Sequence, residues 1–119
     1  MTHIPFTDDL PSLYKQADVF ILPSLEEGSP LVTYMAMGAG LPMLLTPMSA
    51  GGVVTNGVEG FVIEPHDANN WVNAMRKITE DSELRSRFAA AAKNKSSRYI
   101  WDTVAKQRLK LLLTVNNKT

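Results

Sequence analysis

Three short unbroken apolar runs, Val19-Phe20-Ile21-Leu22, Met43-Leu44-Leu45 and Phe61-Val62-Ile63, alternate with longer stretches whose apolar residues recur every three or four positions. Unbroken runs of this length predict parallel strands covered on both faces, and the longer period predicts helices between them. Leu10, Leu13, Tyr14 and Ala17 share one face of a first helix, which Asp8 or Asp9 caps and which carries Pro11 in its first turn. A second helix opens at Pro30, with Ser29 as its cap, and closes on Gly38 and Gly40. Asp67 caps a helix that turns Trp71, Ala74, Met75 and Ile78 inward. Asp81 caps another with Leu84, Phe88, Ala91 and Ala92 inward, fading around Lys95-Ser96-Ser97. A last helix carries a rough stripe of Trp101, Val104, Ala105, Leu111, Leu112 and Val115. Trp71 and Trp101 are expected to anchor the core.

The connections are read from their turn residues. Thr46 to Gly52 is expected to be a flexible loop, and Asn56-Gly57 with Gly60 supplies the turn before the third strand. Met1 to Thr7 has little pattern, although His3-Ile4-Pro5-Phe6 suits the remnant of a strand. Strands alternating with helices imply parallel βαβ units. The fold class is therefore α/β: a partial, Rossmann-like doubly wound parallel sheet of three or four strands with C-terminal helices. It is a single domain over residues 1–119, of which 98–119 form the terminal helix and a tail that frays from Asn116. In such sheets ligands bind beyond the carboxyl ends of the strands, where Pro23 to Pro30 and Thr46 to Gly52 should converge.

Composition narrows the classes. The 119 residues include no cysteine and are 45% apolar, enough for one domain with a core and without disulfides. No basic segment followed by an apolar one opens the chain, and no run reaches the ~18 apolar residues of a membrane span, so the expectation is a soluble, cytoplasmic protein. The zero net charge conceals an asymmetry. Through Asn70 Lys15 stands alone against eight acids, a balance of −7; from Trp71 on, eleven bases face four acids, a balance of +7. Those basic residues are read as solvated helix faces, with a peripheral contact to an anionic membrane surface as the other use of the tail. No basic cluster is interleaved with aromatics, so nucleic acid is not an expected partner.

Candidate chemistry gathers between Pro23 and Pro42. A helix start after a strand offers unpaired N–H groups and a positive dipole end to a phosphate. A carboxylate beside a phosphate is repelled by it, so of Glu26 and Glu27 at the mouth of the loop, Glu27 suits hydroxyl donors such as those of a sugar; a solvated loop acid or helix-dipole partner is its other reading, and Glu26 is read as a solvated acid. His66 is read as a turn residue and, with His3, is too far from other ligand types to suggest a metal. Ser24 lacks the glycine-flanked setting of a hydrolase nucleophile.

Tyr14-Lys15-Gln16-Ala17-Asp18-Val19-Phe20-Ile21-Leu22-Pro23-Ser24, then Glu27-Gly28, Ala36-Met37 and Gly40-Leu41-Pro42, resembles the donor-binding region of retaining GT-B glycosyltransferases, family 4 type. The resemblance runs from about Phe6 to Trp101. It implies the C-terminal half of a GT-B fold, transfer of a hexose from a nucleotide sugar to a glycan or lipid-linked acceptor, and a part in polysaccharide biosynthesis. It implies no metal or other cofactor. In that family a glutamate before glycine, and a second eight residues later, bind the sugar and the ribose of the donor. Glu27 matches the first position and Met35 occupies the second; the usual Phe-Gly after Glu-Gly is Ser29-Pro30 here. The donor-binding residues so implied are Glu27, Gly28, Ser29, Pro30, Leu31 and Met35, although Met35 by its chemistry is read as core. No catalytic residue is assigned. The family places a diphosphate-binding Arg and Lys upstream of Phe6, together with an acceptor-binding N-terminal domain. The chain is therefore expected to be a fragment that turns over negligibly alone, its partner being that domain or a second copy. The alternative is a non-catalytic binding or assembly module that kept the fold and lost the site.

Overall fold

The computed structural model describes residues 1–116. β1 (Phe20–Leu22), β2 (Met43–Leu45) and β3 (Gly60–Val62) form one parallel sheet in the order β1-β2-β3, with Phe20 opposite Met43 and Leu45 opposite Val62. The helices are α1 (Leu10–Gln16), α2 (Leu31–Ala39), α3 (Pro47–Ala50), α4 (Ala68–Glu80), α5 (Ser82–Ser96) and α6 (Trp101–Asn116), with a 3₁₀ turn at Ser97–Tyr99 between the last two.

Alternation along β2 divides the core. Met43 and Leu45 pack with Ala36 and Met37 of α2, Ala50, Val53 and Val54, whereas Leu44 packs with Ile63, Ala74 and Ile78 of α4 and Phe88 of α5. Successive strand residues point to opposite faces, so a fully buried β2 requires helices on both sides. The doubly wound α/β arrangement read from the sequence is the observed one. α5 joins the layers, giving Phe88 to one cluster and Ala92 to the other. Gly40, at φ 74°, ends α2 as expected, and the Leu41 N–H returns to the Ala36 carbonyl at 3.0 Å. Asp9, Asp67 and Asp81 cap their helices through Ser12, Asn70 and Leu84.

Several expectations fail for identifiable reasons. β1 is not covered on both faces: α4 lies over β2 and β3, and Ile21 stays 43% exposed. Thr46 to Gly52 is not a loop but holds α3, because Thr46 accepts from the Ser49 N–H and the Ser49 hydroxyl accepts from the Thr46 N–H, a reciprocal cap. Met75 is exposed, since Ala74 and Ile78 take the inner line of α4. His3 to Phe6 forms no strand. Trp101 is no core anchor but 79% exposed: Ile100 is extended, α6 leaves the domain there, and only Thr103 and Val104 of its first turns are half-buried. The stripe expected of α6 is thus unpartnered, with Leu111, Leu112 and Val115 in the open. The fraying tail lies outside the described residues apart from the helical Asn116.

Candidate functional site at the carboxyl ends of the strands

The loop after β1 and the segment after β2 meet, as the strand order requires, through buried hydroxyls. Thr46 Oγ1 donates to the Ser24 carbonyl at 2.6 Å, Ser49 Oγ donates to the Leu22 carbonyl at 2.5 Å, and Thr33 Oγ1 of α2 donates to the Ser49 carbonyl at 2.9 Å. Thr33, Thr46 and Ser49 are fully buried. Thr46 and Ser49 take carbonyls at the end of β1, and Thr33 takes one in α3, so the β1–α2 loop and α2 are fixed to α3. This network escaped the sequence reading, yet Thr46-Pro47 followed by Ser49 is a helix-start signature that would have revealed it.

On that base stands Glu27. Its carboxylate accepts from Ser24 Oγ at 2.8 Å, and the side chain is otherwise exposed at the rim. One hydrogen bond leaves most of its acceptor capacity free. Gly28 beside it has open space where a Cβ would stand. The helix start differs from expectation by one residue. Pro30 occupies the cap position of α2, with an extended ψ of 115°, and no side chain caps the helix. Ser29 instead shares a 3.2 Å hydrogen bond with the Tyr34 hydroxyl. A proline in the cap position offers no acceptor, so the first N–H groups of α2, those of Leu31 and Val32, face the loop without a side-chain partner.

Met35 is the second correction. The inner line of α2 is Thr33, Ala36 and Met37, which turns Met35 outward, where it is 38% exposed. It lines, with Ser29, Leu31 and Tyr34, a cleft of about 650 Å³ whose far wall is Arg98, Tyr99, Trp101 and the α6 residues Val104, Gln107 and Arg108. Ser29, Leu31 and Met35 of the six expected donor-site residues therefore border this cleft, while Glu27, Gly28 and Pro30 lead into it along the chain. The far wall was not foreseen, since Trp101 was assigned to the core and the arginines to solvent.

Two features lie away from the site. Glu59, only 3% exposed, accepts from the Thr55 N–H at 2.7 Å and pairs with Lys95 at 3.1 Å, at the amino ends of the strands. His66 sits exposed in its turn, and no cluster of metal-ligand types occurs among the described residues.

A profile of the family described as Glycosyl transferases group 1 matches residues 1–95. Over 78 residues, 65% of this chain, the sequence is 38% identical to an Escherichia coli UDP-Gal:alpha-D-GlcNAc-diphosphoundecaprenol alpha-1,3-galactosyltransferase. Over 98 residues, 80% of the chain, it is 33% identical to a D-inositol 3-phosphate glycosyltransferase of Salinispora arenicola. The chain spans 20% and 21% of the length of these relatives. Among solved structures, a sucrose-phosphate synthase from Thermosynechococcus elongatus superposes with a TM-score of 0.80, at 24% identity over 92% of this chain and 28% of that one. Anabaena HepE in complex with UDP superposes with a TM-score of 0.81, at 24% identity over 92% of this chain and 31% of that one.

Proposed function

Because the chain belongs to the Glycosyl transferases group 1 family, we propose that it is the nucleotide-sugar-binding part of a hexosyltransferase acting on a glycan or lipid-linked acceptor. The observation that carries this reading is the sparsely bonded Glu27 carboxylate in the loop that leads into the uncapped start of α2, on a rim fixed by Thr46 and Ser49. The carboxylate accepts hydrogen bonds from sugar hydroxyls. The helix start faces the diphosphate, whose charge grows as the glycosidic bond breaks, and a fixed dipole there favours departure. Gly28, Ser29 and Leu31 shape the passage between them, and the ribose lies against Met35. No metal is needed for this division of labour.

The ligands of the two Anabaena HepE complexes, UDP and UDP-glucose, supply the probes. In calorimetric titration the chain is expected to bind UDP-glucose saturably, and Glu27→Gln to weaken it roughly tenfold to a hundredfold, the effect of losing charged hydrogen bonds. A folded chain that binds no nucleotide contradicts the reading. Transfer by the chain alone is expected to be negligible, since it spans about a fifth of the length of its relatives. We place the protein in the cytoplasm, with the Lys106 and Lys110 side of α6 available to an anionic membrane surface; no helix among the described residues is long and apolar enough to cross one.

Met35 favours a second reading. A thioether accepts hydroxyl hydrogen bonds poorly, so a chain that folds and binds no donor would be a non-catalytic assembly module built on the same domain.

A further inference from the structure

Arg98, in the 3₁₀ turn, and Arg108, in the third turn of α6, lie ten positions apart and line the same cleft. Three other cations of the basic half are occupied. Lys95 pairs with Glu59, Lys93 donates to the Gly38 carbonyl, and Arg85 donates to the carbonyls of Ile78 and Thr79. Neither Arg98 nor Arg108 has a carboxylate within ion-pair distance among the described residues, and no acidic residue lines the cleft. Two like charges are thus directed at one cavity whose opposite wall begins at the uncapped start of α2. Trp101, mostly exposed, borders the same space.

Guanidinium forks match phosphate oxygens two at a time, and an open indole offers a flat face to a base. A volume of about 650 Å³ suits a nucleotide. We propose that Arg98 and Arg108 bind the diphosphate of the donor from the α6 side of the cleft, and that the Trp101 indole stacks on its base. This rests on the donor-site reading given above and adds to it a wall supplied by the terminal helix. It also provides positive charge in a chain whose first seventy residues hold only Lys15.

The test is calorimetry on the full chain with UDP-glucose, UDP and inorganic pyrophosphate, comparing wild type, Arg98→Gln/Arg108→Gln and Glu27→Gln. All three positions are exposed, and circular dichroism confirms the fold of each variant. The double arginine variant is expected to lose affinity for UDP and pyrophosphate alike, roughly tenfold to a hundredfold, whereas Glu27→Gln weakens UDP-glucose and spares the other two. Unchanged UDP and pyrophosphate binding in the double variant overturns the diphosphate site and leaves the Glu27 reading intact. An arginine effect without any Glu27 effect does the reverse. Absence of UDP and pyrophosphate binding in the wild type overturns both. UDP is expected to quench indole fluorescence more than pyrophosphate does, and Trp101→Leu to abolish the difference; a difference that survives comes from Trp71 and removes the base from this position.

Discussion

Met35 shows how a single side chain sets what the site can hold. Its type suggested burial, but the spacing Thr33, Ala36, Met37 already fills the inner line of α2 and sends position 35 into the cleft. That outcome was legible in the periodicity and was masked by weighing hydrophobicity above position. If the ribose lies there, Met35→Gln supplies a missing acceptor without pairing to the nearby arginines as a glutamate would. UDP affinity is expected to rise several-fold, up to about tenfold, in calorimetric titration, the worth of a neutral hydrogen bond. Unchanged affinity would move the ribose elsewhere. Glu27, by contrast, stands exposed at the rim, because its loop follows a strand and offers no cover. On α1, burial pushes the Tyr14 phenol above its ordinary value of 10.0. The raised value means that the folded state prefers the neutral form, so stability is constant below pH ~10 and declines as the pH rises through the folded value. Ultraviolet titration of the tyrosines, repeated on Tyr14→Phe, checks this; identical high-pH titration and melting in the variant would contradict it.

Among the elements, β2 was the most readable and α3 the least. An unbroken apolar triplet admits little besides a strand buried on both faces, and Met43–Leu45 is that strand. Four residues of α3 leave no periodicity to detect, and its evidence lay in capping chemistry at Thr46 and Ser49. The Ser49 hydroxyl accepts from one buried backbone group and donates to another. Ser49→Ala is therefore expected to destabilise the domain by about 2–3 kcal/mol in urea unfolding, the cost of stranding buried polar groups. A loss under about 0.5 kcal/mol, typical of a neutral surface change, would show that the network does not hold the loop. Gly60 is fixed by a different constraint. A Cβ there would run into the backbone of Met43, its partner in the sheet, so Gly60→Ala has to displace β3. Backbone cannot rotate away as a side chain does, and the expected loss is about 3 kcal/mol or more. A melting temperature unchanged by the substitution would contradict the observed register.

At the scale of the whole molecule, the chain extends 56 × 31 × 28 Å with a radius of gyration of 16.4 Å. A compact domain of this length would have about 13.5 Å. The excess follows from α6, which leaves the sheet after Ile100, and from residues 1–7, which carry no regular structure. The departure of α6 was not legible in the sequence, since its apolar content matches that of a core helix and only the layers around β2 decide which helices are covered. The charge asymmetry also resolved differently from its appearance in the sequence: among the described residues Lys95–Glu59 is the ion pair joining the two halves, and the arginines nearest the site face its cleft instead. Exposed Ile21, Leu109, Leu111, Leu112 and Leu113 give the chain apolar surface open to association. Gel filtration is expected to show concentration-dependent association that Leu109→Gln/Leu112→Gln reduces without lowering the melting temperature. A clean monomer at all concentrations would contradict this.

On the proposed function, a nucleotide sugar enters at the carboxyl ends of the strands between the Glu27 loop and the start of α2. Amide correlation spectra of the labelled chain titrated with UDP-glucose address it most directly. The largest shifts are expected at Gly28, Ser29, Leu31 and Val32, with the opposite end of the sheet, at Gly40 and Glu59, unmoved. Shifts concentrated at Gly40 and Glu59, or none at all in a folded chain, would contradict it.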